Sequence, residues 1–166
     1  MYEQKIKAAL DAADAVRSED AKPLRILLVD ADARFRESLA SKLRDKGHSV
    51  TCFTNCYDAW TRARSAIFDL TLIDIELPAM TGLELARRIK NRQKQAMIVA
   101  TSPNATSKSV LANSLCQANG IAHLLGKSEG PLNLFSNLCE IISPPSAVAG
   151  PDVPAVTEAM AATSSN

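Results

Sequence analysis

Four side chains of this sequence could do phosphoryl chemistry if one fold brought them together: Asp30, Asp74, Thr101 and Lys127. Each stands at or just beyond the end of an apolar run. Asp74 closes Asp69-Leu-Thr-Leu-Ile-Asp74 and is followed by Glu76, Pro78 and Gly82. Asp30 follows Leu24-Arg-Ile-Leu-Leu-Val29, with Ala31 and Asp32 behind it. Thr101 and Ser102 end the run that starts at Ala96, and Lys127 follows Ile121-Ala-His-Leu-Leu125. A carboxylate at the end of a buried strand needs a partner. Two or three of them at one edge repel unless a cation lies between them. Hard oxygen donors with open positions suit Mg2+, which keeps its waters and accepts a phosphate. The set is chemically complete: a carboxylate nucleophile, a neutralising cation, a hydroxyl donor and an ammonium.

The elements that must position these groups alternate along the chain. Apolar runs at 24–29, 49–53, 69–74, 96–101 and 121–125 read as strands covered on both faces. Helical spacing falls between them. Phe35, Leu39 and Leu43 recur over 33–46, with Gly47 as a stop. Asn55 caps a helix that turns Ala59, Trp60 and Ala63 inward, and Thr81 caps one carrying Leu83, Ala86 and Ile89. Thr106 or Ser107 starts a fourth helix, with Val110, Leu111 and Leu115. Leu132, Phe135, Leu138 and Ile142 stripe the last. Five strand–helix alternations with short links imply an α/β fold. It is a doubly wound, five-stranded parallel sheet, flavodoxin-like, with strand order 2-1-3-4-5. All strand C-termini then share one edge, which gathers Asp30, Asp74, Thr101 and Lys127.

Composition bounds the rest. The chain has 166 residues, 46% hydrophobic, which supplies one core with flanking segments. Residues 1–22 read as an alanine-rich helical arm that could dock or form homodimers. Residues 144–166, rich in Pro and Ala, read as a disordered tail. A net charge of +1 shows no basic excess for direct DNA binding. No apolar run is long enough to cross a membrane, and no signal-peptide core is present, so a cytoplasmic location is expected. Cys52, Cys56, Cys116 and Cys139 lack zinc spacing and read as reduced thiols.

Leu72-Ile-Asp74-Ile-Glu76-Leu-Pro78-Ala-Met-Thr-Gly82 resembles the phosphoacceptor segment of bacterial two-component receiver domains. The likeness extends over roughly residues 24–143. It implies that Asp74 accepts a phosphoryl group from a histidine kinase or phosphotransfer protein. It further implies that Asp30 belongs to the acidic metal pair and that Thr101 is the switch hydroxyl. Lys127 matches the family's lysine, and the main-chain carbonyl of Glu76 its backbone metal ligand. A stand-alone receiver, not an enzyme in its own right, is expected to act by contact with a downstream protein.

Four departures weaken the pattern. Ala31 replaces the second acid of the pair; Asp32 either substitutes as a metal ligand or caps the first helix. Ser128 replaces the proline usual after the lysine. Leu124 replaces the switch aromatic. The stretch from Thr101 to Lys127 is longer than usual. These departures support a rival reading, a pseudo-receiver that binds partners without regulated phosphorylation. A third reading takes Asp30-Ala-Asp32 as the nucleophile motif of a haloacid-dehalogenase-like phosphatase, but Arg34 stands where that family has Thr or Val. A flavin-binding flavodoxin is disfavoured because Asp-Ala-Asp would repel the cofactor phosphate.

Overall fold

A computed structural model describes residues 22–104, 110–128 and 130–142. In order, the elements are β1 (Arg25–Val29), α1 (Ala33–Asp45), β2 (Ser49–Phe53), α2 (Cys56–Ser65), β3 (Leu70–Asp74), α3 (Gly82–Arg92), β4 (Met97–Ser102), α4 (Val110–Ala118), β5 (His123–Gly126) and α5 (Gly130–Ile142). All neighbouring strands pair in parallel, in the order β2-β1-β3-β4-β5, as the alternation requires. The arm, most of it within 1–21, and the tail lie outside the described residues, as does the expected helix start at Thr106 or Ser107.

Strand periodicity divides the core in two. Ile26, Leu28, Leu70, Leu72 and Val99 face Leu39 and Leu43 of α1 and Leu134 and Leu138 of α5. Leu27, Val29, Ile73, Ile98 and Ala100 face α2, α3 and α4 through Ala59, Ala63, Ala86, Ile89 and Cys116. Each fully buried Leu or Ile contributes about 1.5–3 kcal/mol, so the sheet centre is the most strongly held part of the chain. Every residue of β3 is buried, which fixes the strand that ends in Asp74.

Helix ends are set by their sequence. Asn55 Oδ1 accepts from the Asp58 amide at 2.9 Å, and Thr81 Oγ1 from that of Glu84 at 3.3 Å. Gly47 takes φ 84° after α1, and its amide donates to Arg44 O at 2.8 Å. Gln93 ties α2 to α3: its Nε2 donates to Ala63 O and Ala66 O, and its Oε1 accepts from Phe68 N.

Three expectations shift. β5 starts at His123, two residues later than its apolar run. Ala122 still donates its amide to Ile98 O at 2.8 Å, but Gly126, not Leu125, completes the ladder to β4. In α5 the core position is Leu134, while Leu132 is 62% exposed. In α4 Leu115 is 52% exposed and Cys116 is buried in its place. Apolar side chains at helical spacing offer two possible faces, and packing selects one. Cys52, Cys56 and Cys116 are free thiols, as expected.

Thr71, the second residue of β3, is fully buried and its Oγ1 has no hydrogen-bond partner among the described residues. An unpaired buried hydroxyl costs about 1–3 kcal/mol. Thr71→Val is therefore expected to raise unfolding free energy by about 1 kcal/mol, read by urea denaturation.

Candidate functional site

The carboxyl edge of the sheet brings Asp30, Asp74 and Lys127 into contact and sets Thr101 beside them. Asp30 follows β1, and its main-chain oxygen accepts from Arg36 Nη1 of α1 at 2.7 Å. Asp74 ends β3 in register with Thr101 of β4, and Ile75 N donates to Thr101 O at 3.0 Å. Lys127 follows β5, anchored through its amide to Ser102 O at 2.9 Å. Asp30, Asp74, Thr101 and Ser102 are all buried.

Lys127 Nζ lies 2.8 Å from Asp74 Oδ2 and 2.8 Å from Asp30 Oδ2, so one ammonium serves two carboxylates. It donates a well-formed hydrogen bond to Asp74. At Asp30 Oδ2 the charge is close but the direction is off, and that oxygen has no well-directed hydrogen bond among the described residues. The contact is electrostatic, and Coulomb attraction depends on distance more than angle. Asp30 Oδ1 accepts from Asp32 N at 2.9 Å, and Asp74 Oδ1 from Glu76 N at 2.9 Å. Phe35 of α1 covers the ammonium, with Nζ 4.8 Å from the ring centre.

These contacts bias protonation. Burial pushes the Asp30 carboxyl above the usual carboxylate range, against the lowering effect of Lys127. Burial alone would pull Lys127 down, but its close contacts with the Asp30 and Asp74 carboxylates outweigh that and hold it above the ordinary lysine value. Cys56, buried at the start of α2, is pushed up to about 11 by burial, with the Asp74 charge adding to it. Its thiol is therefore protonated and unreactive at neutral pH.

Asp32 and Glu76 stand differently. The Asp32 carboxylate caps α1, accepting from Arg34 N at 2.9 Å and Phe35 N at 3.1 Å. Those bonds hold its carboxyl below the usual range. In this pose it is exposed, so of its two expected roles the helix cap is the one occupied. The same cap removes the general acid that the phosphatase reading needs. Glu76 turns its side chain away: Oε1 accepts from Ser102 Oγ at 2.7 Å and from Asn104 Nδ2 at 3.3 Å. Its carboxylate thereby ties the loop after β3 to the loop after β4. Neither this tie nor the Phe35 cover has a signature in spacing; Phe35 reads as an ordinary member of the α1 stripe.

The loop between β3 and α3 is tightly constrained. Ala79 takes φ 71°, a left-handed conformation that costs a non-glycine residue about 1–2 kcal/mol. Gly82 sits against the Asp74 main-chain oxygen, and a Cβ there would lie 2.8 Å from Ile75 Cα. Any side chain at 82 would push α3 away from the end of β3, which explains the Gly spacing after Asp74.

The donor set fits a hard divalent cation. Asp30 supplies a buried carboxylate oxygen that pairs with Lys127, Asp74 a second carboxylate, and Glu76, with its carbonyl, follows two residues on. Two carboxylates suffice for Mg2+ that keeps several waters. Among the described residues no group of three or more His, Cys, Asp or Glu is placed to hold a metal, in keeping with Ala31.

The fold and this edge match one known class of signalling domain. The sequence profile of the response regulator receiver domain matches residues 26–137, and the chain belongs to that family of two-component, phosphorelay signalling proteins. The family generally binds Mg2+ at its phosphorylation site. Among its relatives is the response regulator receiver protein CpdR of Brucella abortus (strain 2308). It is 44% identical over 64 residues, 39% of this chain and 53% of CpdR. The gliding motility regulatory protein of Myxococcus xanthus is 35% identical over 47% of this chain and 10% of its own length. The chain thus spans about half or less of these relatives. A CheY-like receiver from Methanospirillum hungatei JF-1 shares the fold, with a TM-score of 0.64 at 24% identity, covering 73% of this chain and 94% of that one. CheY4 of Vibrio cholerae does likewise, with a TM-score of 0.64 at 24% identity over 72% of this chain and 99% of its own. No helix among the described residues is long and apolar enough to cross a membrane.

Removing the ammonium leaves two buried carboxylates facing each other. Lys127→Met is expected to lower unfolding free energy at pH 7 by about 3 kcal/mol. The sign with pH follows from linkage. Carboxyls whose folded pKa is raised favour the fold most when protonated, so the deficit should narrow as pH falls from about 7 to about 4. In the unmodified chain the Lys127 pKa is raised, so its contribution persists through neutral pH and is lost only as pH climbs through that raised value. Urea unfolding at a series of pH values reads both trends.

Proposed function

We propose that this chain is a receiver whose Asp74 accepts a phosphoryl group from a phosphohistidine of a histidine kinase or phosphotransfer protein. The observation that carries this reading is the single ammonium of Lys127 within 2.8 Å of both Asp30 and Asp74. In the transfer, an Asp74 carboxylate oxygen attacks phosphorus, the P–N bond to the donor imidazole breaks, and the imidazole leaves to take a proton from solvent. Lys127 then has a phosphoryl oxygen to pair with in place of the Asp74 carboxylate. Thr101, beside Asp74 in register, donates its hydroxyl to another phosphoryl oxygen. Asp30, Asp74 and the Glu76 carbonyl would hold Mg2+, with Asp32 as a further ligand only if it leaves the α1 cap. Bound there, the ion supplies neutralisation of the phosphoryl charge.

Phosphorylation replaces the single charge of the Asp74 carboxylate with an acyl phosphate of about two negative charges, a net gain of about one. The charge draws Lys127 and Thr101 inward and reorganises the loops after β4 and β5, which alters contact with a downstream protein. Leu124 stands where the usual switch aromatic would be, so no Thr–aromatic exchange contributes. In this reading residues 23–143 are one cytoplasmic receiver unit, flanked by an N-terminal arm that could form homodimer contacts and a Pro/Ala-rich tail. Output is protein contact, not DNA binding.

A second reading is favoured by one observation, the capped Asp32 beside Ala31, which leaves two carboxylates for the ion. It is a pseudo-receiver that binds partners without regulated phosphorylation. One experiment separates the two. The protein is incubated with Mg2+ and acetyl phosphate, and covalent phosphate is read by intact mass. The phosphoreceiver reading expects a base-labile gain of one phosphoryl group, absent in Asp74→Asn. It also expects the yield to fall at least about tenfold in Lys127→Met and Asp30→Asn. No Asp74-dependent gain, with this donor or with histidine kinases, favours the pseudo-receiver.

A further inference from the structure

Far from Asp74, the C-terminal halves of α2 and α3 enclose an open cleft of about 950 Å3. Trp60, Arg64, Arg88 and Arg92 line it, with smaller polar side chains between them. A second hollow adjoins it, shares Arg64 and Arg92, and adds Lys94, Ile67 and Asp69. Asp69 precedes β3 and Arg92 ends α3, so this surface lies towards the end of the sheet away from the carboxyl edge.

The charges there do not cancel. Arg88 is held by Glu84 at 2.8 Å, and Asp69 by the Arg25 amide at 2.8 Å and its guanidinium at 3.5 Å. Arg64 and Lys94 have no carboxylate partner among the described residues, and Arg92 donates only to the Arg64 main-chain oxygen, at 2.7 Å. Basic residues commonly neutralise helix C-termini, and two ends meet here. Each is equivalent to about half a negative charge, about one in total. Three cations exceed that by about two charges. The excess faces a concave surface beside Trp60, which is half-buried and flat enough to stack. Tryptophan and arginine in a cleft are the residue types that dominate binding energy at protein interfaces.

We propose that the α2–α3 cleft is a docking surface for an acidic segment of a partner protein, used independently of the chemistry at Asp74. Arginine forks match carboxylates in pairs. The cleft is short, and the whole chain carries a net charge of only +1, without the extended basic stripe that nucleic acid selects.

Trp60 is the only tryptophan in the chain, so its emission reports occupancy of the cleft directly. The full chain is titrated with a decaglutamate peptide at low salt. A saturable change in Trp60 emission is expected, weakened several-fold by about 0.3 M salt. The double variant Arg64→Glu/Lys94→Glu should weaken it at least about tenfold, and the milder Arg64→Gln by a smaller factor. Lys46→Glu, beyond α1, should leave it unchanged. Circular dichroism confirms that each variant is folded. The proposal is overturned if no saturation occurs up to millimolar peptide, or if the Arg64 and Lys94 variants bind as well as the parent. Tighter binding of a single-stranded decanucleotide at Trp60 also overturns it.

Discussion

The arrangement at the carboxyl edge depends on one ammonium shared by two buried carboxylates. Asp30 and Asp74 end neighbouring strands, and burial alone would disfavour charging them together. Lys127 reaches both from the far side of β4, at 2.8 Å each. A buried charge cluster of this kind is weak evidence for stability, because desolvation offsets much of the Coulomb gain. Its retention fits a site in which the same charges serve phosphoryl chemistry: the lysine neutralises the resting acids and is already placed beside an incoming phosphoryl group.

The rest of the fold holds that triangle in place. The buried β3 fixes Asp74, and Gly82 lets α3 begin directly against it. Arg36 pins the Asp30 main chain from α1, while Phe35 covers the ammonium. Glu76, Ser102 and Asn104 bind the two loops that flank Asp74. A new charge at Asp74 would therefore be felt in the loops after β3, β4 and β5 at once. The α2–α3 cleft lies outside this network, so two kinds of partner contact can coexist on one small domain.

Much of this was legible in the sequence. Near-continuous apolar strands and helix stripes gave the parallel sheet and its order, and the parallel sheet alone placed Asp30, Asp74, Thr101 and Lys127 on one edge. Resolution failed where two physical solutions compete locally. Asp32 reads in sequence as a cap more than as a ligand, and backbone geometry shows the cap filled. Leu115 and Leu132 sit on helices where either of two faces could be buried. The Glu76 tie to Ser102 joins residues 26 apart and depends on side-chain direction, which no spacing rule encodes. Phe35 over Lys127 spans almost the whole domain and was invisible for the same reason.

The shared ammonium is tested most directly by 13C-detected NMR titration of the aspartate side-chain carboxyls, in the parent chain and in Lys127→Met. The account predicts that the Asp30 carboxyl titrates above the ordinary aspartate range in the parent. It should move further up when the ammonium is removed, because burial and the Asp74 charge are then opposed only by the hydrogen bond from the Asp32 amide. An Asp30 midpoint that is ordinary in the parent and unmoved in Lys127→Met would contradict it.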